Sequence, residues 1–251
     1  MKIIGIIPSR YASTRLPAKS LVNICGKTMV QRVYEQAKKS ALLTNVVVAT
    51  DDERIESAVK AFGGNVQMTP VDIQSGSDRI ALVAKQYNAD IIVNIQGDEP
   101  MIDPKLIDQT IRLLIDDSSA VVGTAVKKTI THQDVFNPNV VKVVLDNNNY
   151  ALYFSRSPIP HVRDARKDEH WFAGTLFYKH FGIYVYRADF LQHYTTLKQS
   201  PLEIAEKLEQ LRILENGYKI KCAVTEYESL PVDTPEDLQK VIEHLNNKKT
   251  T

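Results

Sequence analysis

The sequence predicts an α/β fold: a doubly wound, mostly parallel sheet with a smaller mixed-strand extension. Three observations carry this reading. Continuous apolar runs recur at Lys2–Pro8, Asn45–Thr50 and Asp90–Ile95, as in strands buried on both faces. Segments of helical period separate them, and from about Ala120 the pattern turns to strands in succession.

Taken in order, Lys2–Pro8 is the first strand. After a polar loop, Met29, Val30, Val33, Tyr34 and Ala37 recur at helical spacing, with Gln31, Arg32, Glu35, Lys38 and Lys39 on the opposite face. Asn45–Thr50 (NVVVAT) is the second strand. Asp51 or Asp52 can cap the next helix, which carries Ile55, Ala58, Val59 and Phe62 and stops at Gly63-Gly64. A short strand follows at Val66–Thr69, then a helix after Ser77 with Ile80, Ala81, Val83 and Ala84. Asp90–Ile95 (DIIVNI) is the most apolar candidate for a central strand and runs into Gln96-Gly97-Asp98-Glu99-Pro100. Repeated strand–helix–strand units imply right-handed crossovers, and such sheets bind ligands beyond the carboxyl ends of their strands. The loops after Pro8, Thr50, Thr69 and Ile95 are therefore the places to look.

Later strands are expected at Ala120–Val126, Val140–Leu145, Tyr150–Ser155, Gly182–Arg187 and Lys219–Val224, with helices at Leu202–Glu215 and Pro235–Asn246. The segment Ser157–Glu169 (SPIPHVRDARKDE) reads as an exposed loop, mobile or packed on a second subunit.

Composition narrows the function. The 251 residues include 31 Lys and Arg against 30 Asp and Glu, a formal net charge of +1, so no global field attracts nucleic acid or an anionic membrane. Any anion site must be local. Two cysteines, Cys25 and Cys222, are too few for a disulfide framework and fit a reducing compartment. The apolar run Ile3–Ile7 ends at Pro8, too short for a signal-peptide core or a membrane span, so a cytoplasmic protein is expected.

The loop Ser9–Leu21 (SRYASTRLPAKSL) places Arg10, Arg15 and Lys19 with Ser13 and Thr14 at the mouth of the sheet. Forked Arg donors, a compact Lys charge and backbone N–H groups could grip a triphosphate. On composition alone a solvated basic loop is the better explanation; its place beyond a buried strand reverses that and favours the ligand site. Gly26-Lys27-Thr28 resembles the end of a P-loop, but Leu21 stands where that motif needs Gly. No G-x-G-x-x-G follows the first strand, which disfavours nicotinamide and flavin enzymes. There is no H-E-x-x-H for zinc and no G-x-S-x-G for a serine nucleophile.

Asp98, ending the most apolar strand, is placed to hold a hard metal. Mg²⁺ takes one or two carboxylates and completes its shell with water and substrate phosphate, so one further acid would suffice. Asp233, in Pro231-Val232-Asp233-Thr234-Pro235, is the best candidate, and it could equally be the N-cap of the last helix, with Thr234 as rival. Gln74-Ser75-Gly76-Ser77-Asp78-Arg79 could approach a base or ribose, or Asp78 and Arg79 could form a local surface ion pair. His180, on its own, reads as a packed or surface histidine.

Read in order, the segments IIPSRYASTRLPAKSL, VATDDERI, QSGSDR, VNIQGDEP, NPNVVKVV, ALYFSRSPIP, HFGIYVYR, SPLEIAEKLEQLRILENG and PVDTPEDL closely resemble the 3-deoxy-manno-octulosonate cytidylyltransferases. The resemblance covers nearly the whole chain. It implies a dimeric, Rossmann-like α/β nucleotidyltransferase that couples CTP to the acidic eight-carbon sugar Kdo, with Mg²⁺ as cofactor and no nucleic-acid or membrane partner. It further implies one nucleotidyltransferase domain over 1–251, with CTP held mainly by 1–119 and the sugar and dimer contacts by 120–251. By the same resemblance Arg10, Ser13, Arg15 and Lys19 hold the triphosphate, Gln74, Ser75 and Arg79 lie near the cytidine, and Asp98 and Asp233 bind Mg²⁺. The sugar meets Gln96, Arg156, His180, Tyr184, Glu209 and Gln210, with Arg156 as partner of its carboxylate. This reverses the bland reading of His180. Two positions depart from the family pattern: Ala18 stands where Gly is usual before the Lys, and would need a negative φ to be unstrained, and Ile73 stands where His is more usual. Relatives acting on an amino-substituted sugar or on sialic acid, and a non-catalytic sugar-nucleotide sensor, are the alternatives; a glycosyltransferase lacks its D-x-D motif here.

Overall fold

A computed structural model describes residues 1–12, 16–73, 75–129, 131–163, 171–172 and 174–247. The chain forms two compact units, one of Met1–Asp108 and the stretch from Glu228 onward, the other of Gln109–Tyr227.

The first unit opens with β1 (Ile3–Ser9), whose IIGIIPS sequence is buried throughout except for Pro8. A 3₁₀ turn at Lys19–Leu21 and a small hairpin of β2 (Asn23–Ile24) and β3 (Lys27–Thr28) lead to α1 (Met29–Ala37), capped by the Thr28 hydroxyl and burying the five apolar residues expected. Then come β4 (Asn45–Thr50), α2 (Glu53–Ala61) with Asp52 as its N-cap, β5 (Val66–Met68), α3 (Gly76–Ala84) and β6 (Ile91–Asn94). The cap of α3 is Ser75, not Ser77. Apart from the antiparallel β2–β3 hairpin, the strands described here pair in parallel, in the order β6-β1-β4-β5. The chain therefore winds outward from β1 through β4 and β5, then returns to lay β6 on the other side of β1. That reversal is a topological switch point, and a crevice opens at the carboxyl ends of β1 and β6.

Helix α4 (Pro104–Ile115) carries the chain into the second unit, which is mixed as expected: β7 (Val122–Thr129), α5 (His132–Phe136), β8 (Lys142–Leu145), β9 (Ala151–Ser155), β10 (Phe177–Arg187), α6 (Ala188–Tyr194), α7 (Pro201–Glu206), α8 (Gln210–Glu215) and β11 (Ile220–Val224). β10 pairs antiparallel with β7 and β8, β9 antiparallel with β8, and β11 parallel with β7. The final helix α9 (Pro235–Asn247) belongs to the first unit.

Two expectations need correction. The strand expected at Gly182–Arg187 begins five residues earlier, at Phe177, because β8 offers a second antiparallel partner at Tyr178 and Lys179. The single helix expected at Leu202–Glu215 is two: Lys207 adopts φ 54, a left-handed stop, and α8 restarts at Gln210. The turn is tied by a buried bidentate pair, Arg212 Nε donating to Glu203 Oε2 at 2.7 Å, with Ser200 and Glu203 forming the capping box of α7. The pattern of apolar residues persists across this break, which is why periodicity alone joins the halves.

Candidate active site

The first unit gathers its charged loops at the switch point. Pro8, Ser9 and Arg10 leave β1, and Gln96, Gly97 and Asp98 follow β6; with Ala12, Lys19, Ser20 and Asp233 they line a cavity of about 330 Å³. Gly97 makes this approach possible. A Cβ there would lie 2.8 Å from the Pro8 carbonyl oxygen, so only glycine lets the post-β6 turn pack on the end of β1.

Lys19 is the centre of the arrangement. Its Nζ donates to Asp98 Oδ2 at 2.9 Å and to Asp233 Oδ1 at 2.9 Å. Burial by itself pushes the ammonium down, but Asp98 and Asp233 more than offset this and its pKa is raised. Asp233 is brought beside Asp98 because Val232 N–H donates to the Asp98 carbonyl at 2.9 Å and Ser229 Oγ hydrogen-bonds Glu99 Oε1, and Lys19, 214 positions before Asp233, reaches both carboxylates. Burial, with Asp98 and Asp233 nearby, raises the Glu99 carboxyl to about 7 against the hydrogen bond from Ser229. Asp233 is not the cap of α9. Thr234 takes that role: Asp237 N–H donates to its Oγ1, while the Asp237 carboxylate accepts from Thr234 N–H. The Asp233 carboxylate is thereby left to Lys19.

Lys19 is presented by a strained neighbour. Ala18 sits at φ 53, ψ 33, the left-handed region that the sequence reading required it to avoid, and its carbonyl accepts from Leu21 N–H at 2.8 Å. The left-handed conformation costs an alanine about 1–2 kcal/mol and glycine little. Ala18→Gly is therefore expected to leave the 3₁₀ turn intact and to raise stability by up to about 1 kcal/mol, read as a higher urea midpoint at unchanged m-value.

Ser13, Arg15 and Gln74 lie outside the described residues. Ser75 caps α3, accepting from Asp78 N–H at 2.9 Å and donating to Asp78 Oδ2 at 2.8 Å. Asp78 and Arg79 form no surface pair with each other: the Arg79 side chain is fully buried, donating from Nη2 to Asp51 Oδ2 at 2.7 Å and from Nη1 to Thr69 Oγ1. Asp51 follows β4 and Thr69 follows β5, so Arg79 clamps the ends of two strands beside the crevice. Asp51 was legible only as a capping candidate; its place after a buried strand was the signal for a site role.

Among the described residues, six buried side-chain polar atoms have no protein partner, and five of them belong to this region: Ser9 Oγ, Arg10 Nη2, Arg79 Nε, Asn94 Oδ1 and Glu99 Oε2. Buried polar atoms are normally satisfied, so such a cluster marks where a polar ligand completes the structure. No group of three His, Cys, Asp or Glu side chains gathers to hold a metal unaided among the described residues. The donor set nevertheless fits Mg²⁺. Two carboxylates already converge on one cationic atom, and this ion keeps its remaining positions for water and phosphate.

A family model described as Cytidylyltransferase matches residues 4–220. The 3-deoxy-manno-octulosonate cytidylyltransferase of Geobacter metallireducens is 54% identical over 250 residues, covering 98% of each chain. The chain belongs to the 3-deoxy-manno-octulosonate cytidylyltransferases. The corresponding protein of Parabacteroides distasonis is 53% identical over 254 residues, 99% of this chain and 100% of its own. A solved CMP:2-keto-3-deoxy-manno-octonic acid synthetase complexed with CTP superposes with a TM-score of 0.93 at 43% identity, over 99% of this chain and 100% of that one.

The second unit of this cytidylyltransferase carries the remaining candidates, apart from Gln96. A register shift between Phe181 and Tyr184 re-aims β10 around His180 and Tyr184, whose rings lie 5.3 Å apart. Thr124 Oγ1 donates to the Ile183 carbonyl at 2.7 Å and so accepts from His180 Nε2–H at 2.9 Å. Burial lowers the His180 pKa to about 3, so the imidazole is neutral at physiological pH. Burial likewise raises Tyr184 well above 10, keeping its phenol a donor, and Tyr184 Oη is the sixth buried atom lacking a protein partner. Tyr186 and Tyr194 continue the stack, and Tyr194 Oη donates to the Glu209 carbonyl at 3.1 Å. Glu209 is exposed and Gln210 buried at the start of α8. Arg156 follows β9; its Nε donates to the Glu206 carbonyl at 2.7 Å and its Nη1 to the Pro138 carbonyl at 3.0 Å. Sequence reasoning missed Glu206 and Lys142 as its neighbours.

Proposed function

We propose that this chain transfers CMP from CTP to the anomeric hydroxyl of Kdo, releasing pyrophosphate and supplying the activated sugar for lipopolysaccharide assembly. The observation that carries the site assignment is Lys19 held between Asp98 and Asp233 at the switch point. The hydroxyl oxygen bonds the α-phosphorus as the bond from that phosphorus to the bridging oxygen breaks, and the hydroxyl proton is released.

Asp98 and Asp233 are the residues that would hold Mg²⁺, which when bound neutralises phosphate charge and acidifies a nearby hydroxyl. The chain's own groups do the positioning. Lys19 and Arg10 face the charge that builds on the leaving pyrophosphate, and the buried Arg10 Nη2 is a donor in want of an acceptor. The neutral His180 and the protonated Tyr184 suit sugar hydroxyls, and Arg156 suits the carboxylate. No covalent protein nucleophile is required. A homodimer, implied by the family resemblance, is part of the proposal and is read by light scattering.

The test is pyrophosphate release with CTP and Mg²⁺ across Kdo, its 8-amino analogue and sialic acid. Release with Kdo, and little with sialic acid, is expected. Binding of CTP with no release for any acid sugar would make the chain a sensor instead.

A further inference from the structure

The segment NPNVVK is part of the family resemblance, yet the reaction as described assigns it nothing. Its Lys142 is completely buried. Burying an ammonium is costly unless each of its donors is satisfied, and Lys142 satisfies all three on main-chain carbonyls: Asn137 at 2.8 Å, Val140 at 2.5 Å and Arg156 at 2.6 Å. A methionine or leucine would fill the same volume more cheaply, so the charge serves something other than packing.

What it ties together is the surroundings of Arg156. Its carbonyl is held by Lys142, and its N–H donates to Glu206 Oε2 at 2.9 Å. Its guanidinium donates to the carbonyls of Glu206 and Pro138, and more distantly to that of Lys207 at 3.5 Å. These bonds leave a further N–H on each terminal nitrogen for a ligand. Ser155 Oγ, one residue earlier, donates to Glu206 Oε1 at 2.6 Å. Both main-chain polar groups of Arg156 are therefore fixed by buried or half-buried side chains, one cationic and one anionic.

We propose that Lys142 is a positioning residue for the acidic sugar: its buried ammonium holds the main chain of Arg156 so that the guanidinium meets the sugar carboxylate in one orientation. The inference rests on reading Arg156 as the carboxylate partner. Uncharged side chains of similar length cannot replace it, because none offers three donors at one atom.

The test compares Lys142→Met with Arg156→Ala in steady-state kinetics, varying Kdo and CTP separately. Lys142→Met is expected to raise the KM for Kdo about tenfold or more while leaving the KM for CTP within about twofold, a split that general destabilisation would not produce. An unchanged KM for Kdo in Lys142→Met, with a raised one in Arg156→Ala, overturns the positioning role alone. An unchanged KM for Kdo in Arg156→Ala overturns the carboxylate reading and the inference with it. Should Lys142→Met fail to fold, the pH profile of the unaltered protein decides. Burial, then Arg156, push the Lys142 ammonium down, against Glu206 and Asp134, and it titrates at about 8; Asp134 is itself paired with Lys179. Above that pH the amine has only two donors, so the KM for Kdo should climb while that for CTP stays level. A level KM for Kdo from pH 7 to 9.5 would overturn the proposal.

Discussion

Asp98→Asn is expected to lose about 10³-fold or more of the Mg²⁺-dependent turnover, some 4 kcal/mol of transition-state stabilisation, while keeping its fold. The substitution is nearly isosteric. The tie that seats this turn, Val232 N–H to the carbonyl of residue 98, is made by the main chain and survives the change. Lys19 keeps Asp233, and an amide oxygen can still accept from it. What is lost is one of two carboxylates converging on a single point, and with it half of the negative charge that would hold the ion against its own hydration. Two measurements separate this from unfolding. The thermal midpoint should stay within a few degrees of the unaltered protein, and calorimetric binding of Mn²⁺ should weaken beyond detection. Metal-dependent turnover near the original rate would remove Asp98 from the site. Asp233→Asn should behave alike, since Thr234 rather than Asp233 caps α9.

Much of the first unit was legible because its strands are buried on both faces. Ile3–Ser9, Asn45–Thr50 and Ile91–Asn94 leave no polar alternation to confuse with helices, and their order alone places the loops after Pro8 and Ile95 at one crevice. The meeting of Asp98 with Asp233 was only half legible: Asp233 read equally as a second metal acid and as an N-cap, and the choice depends on Val232 pairing with the Asp98 carbonyl and on Thr234 taking the cap. Arg79 shows the opposite failure. A polar segment beside a helix start suggests an exposed residue, and only three-dimensional packing puts its guanidinium beneath Asp51 and Thr69. Helix α4 escaped the sequence-based reading although Leu106, Ile107, Ile111 and Leu114 recur at helical spacing and are all buried. Lys142 could not have been found by pattern. It lies in an apolar run as a charged residue that would ordinarily be assigned to a solvent face, and its three partners are carbonyls, which sequence does not display.

Lys19→Met is expected to change two quantities in opposite directions. Turnover should fall about 10²- to 10³-fold, the cost of removing a charged donor placed where the leaving pyrophosphate gathers charge. Affinity of the free protein for Mn²⁺, measured without CTP, should rise about tenfold. The second effect follows from geometry: at 2.9 Å from both Asp98 and Asp233, the ammonium stands where a divalent ion shared by those carboxylates would stand, so the ion must displace it. The displacement is not prohibitive. The three side chains are 19%, 27% and 34% exposed, and water screens a pair so placed enough to keep the competition to about 1.4 kcal/mol, the free-energy equivalent of tenfold. Lys19→Arg retains a cation and should show no such gain. A fall in metal affinity on Lys19→Met would mean that the lysine supports the ion rather than competing with it. It would then have to reach phosphate without leaving the acid pair, as a fixed charge and not as one handed over when the nucleotide and its metal arrive.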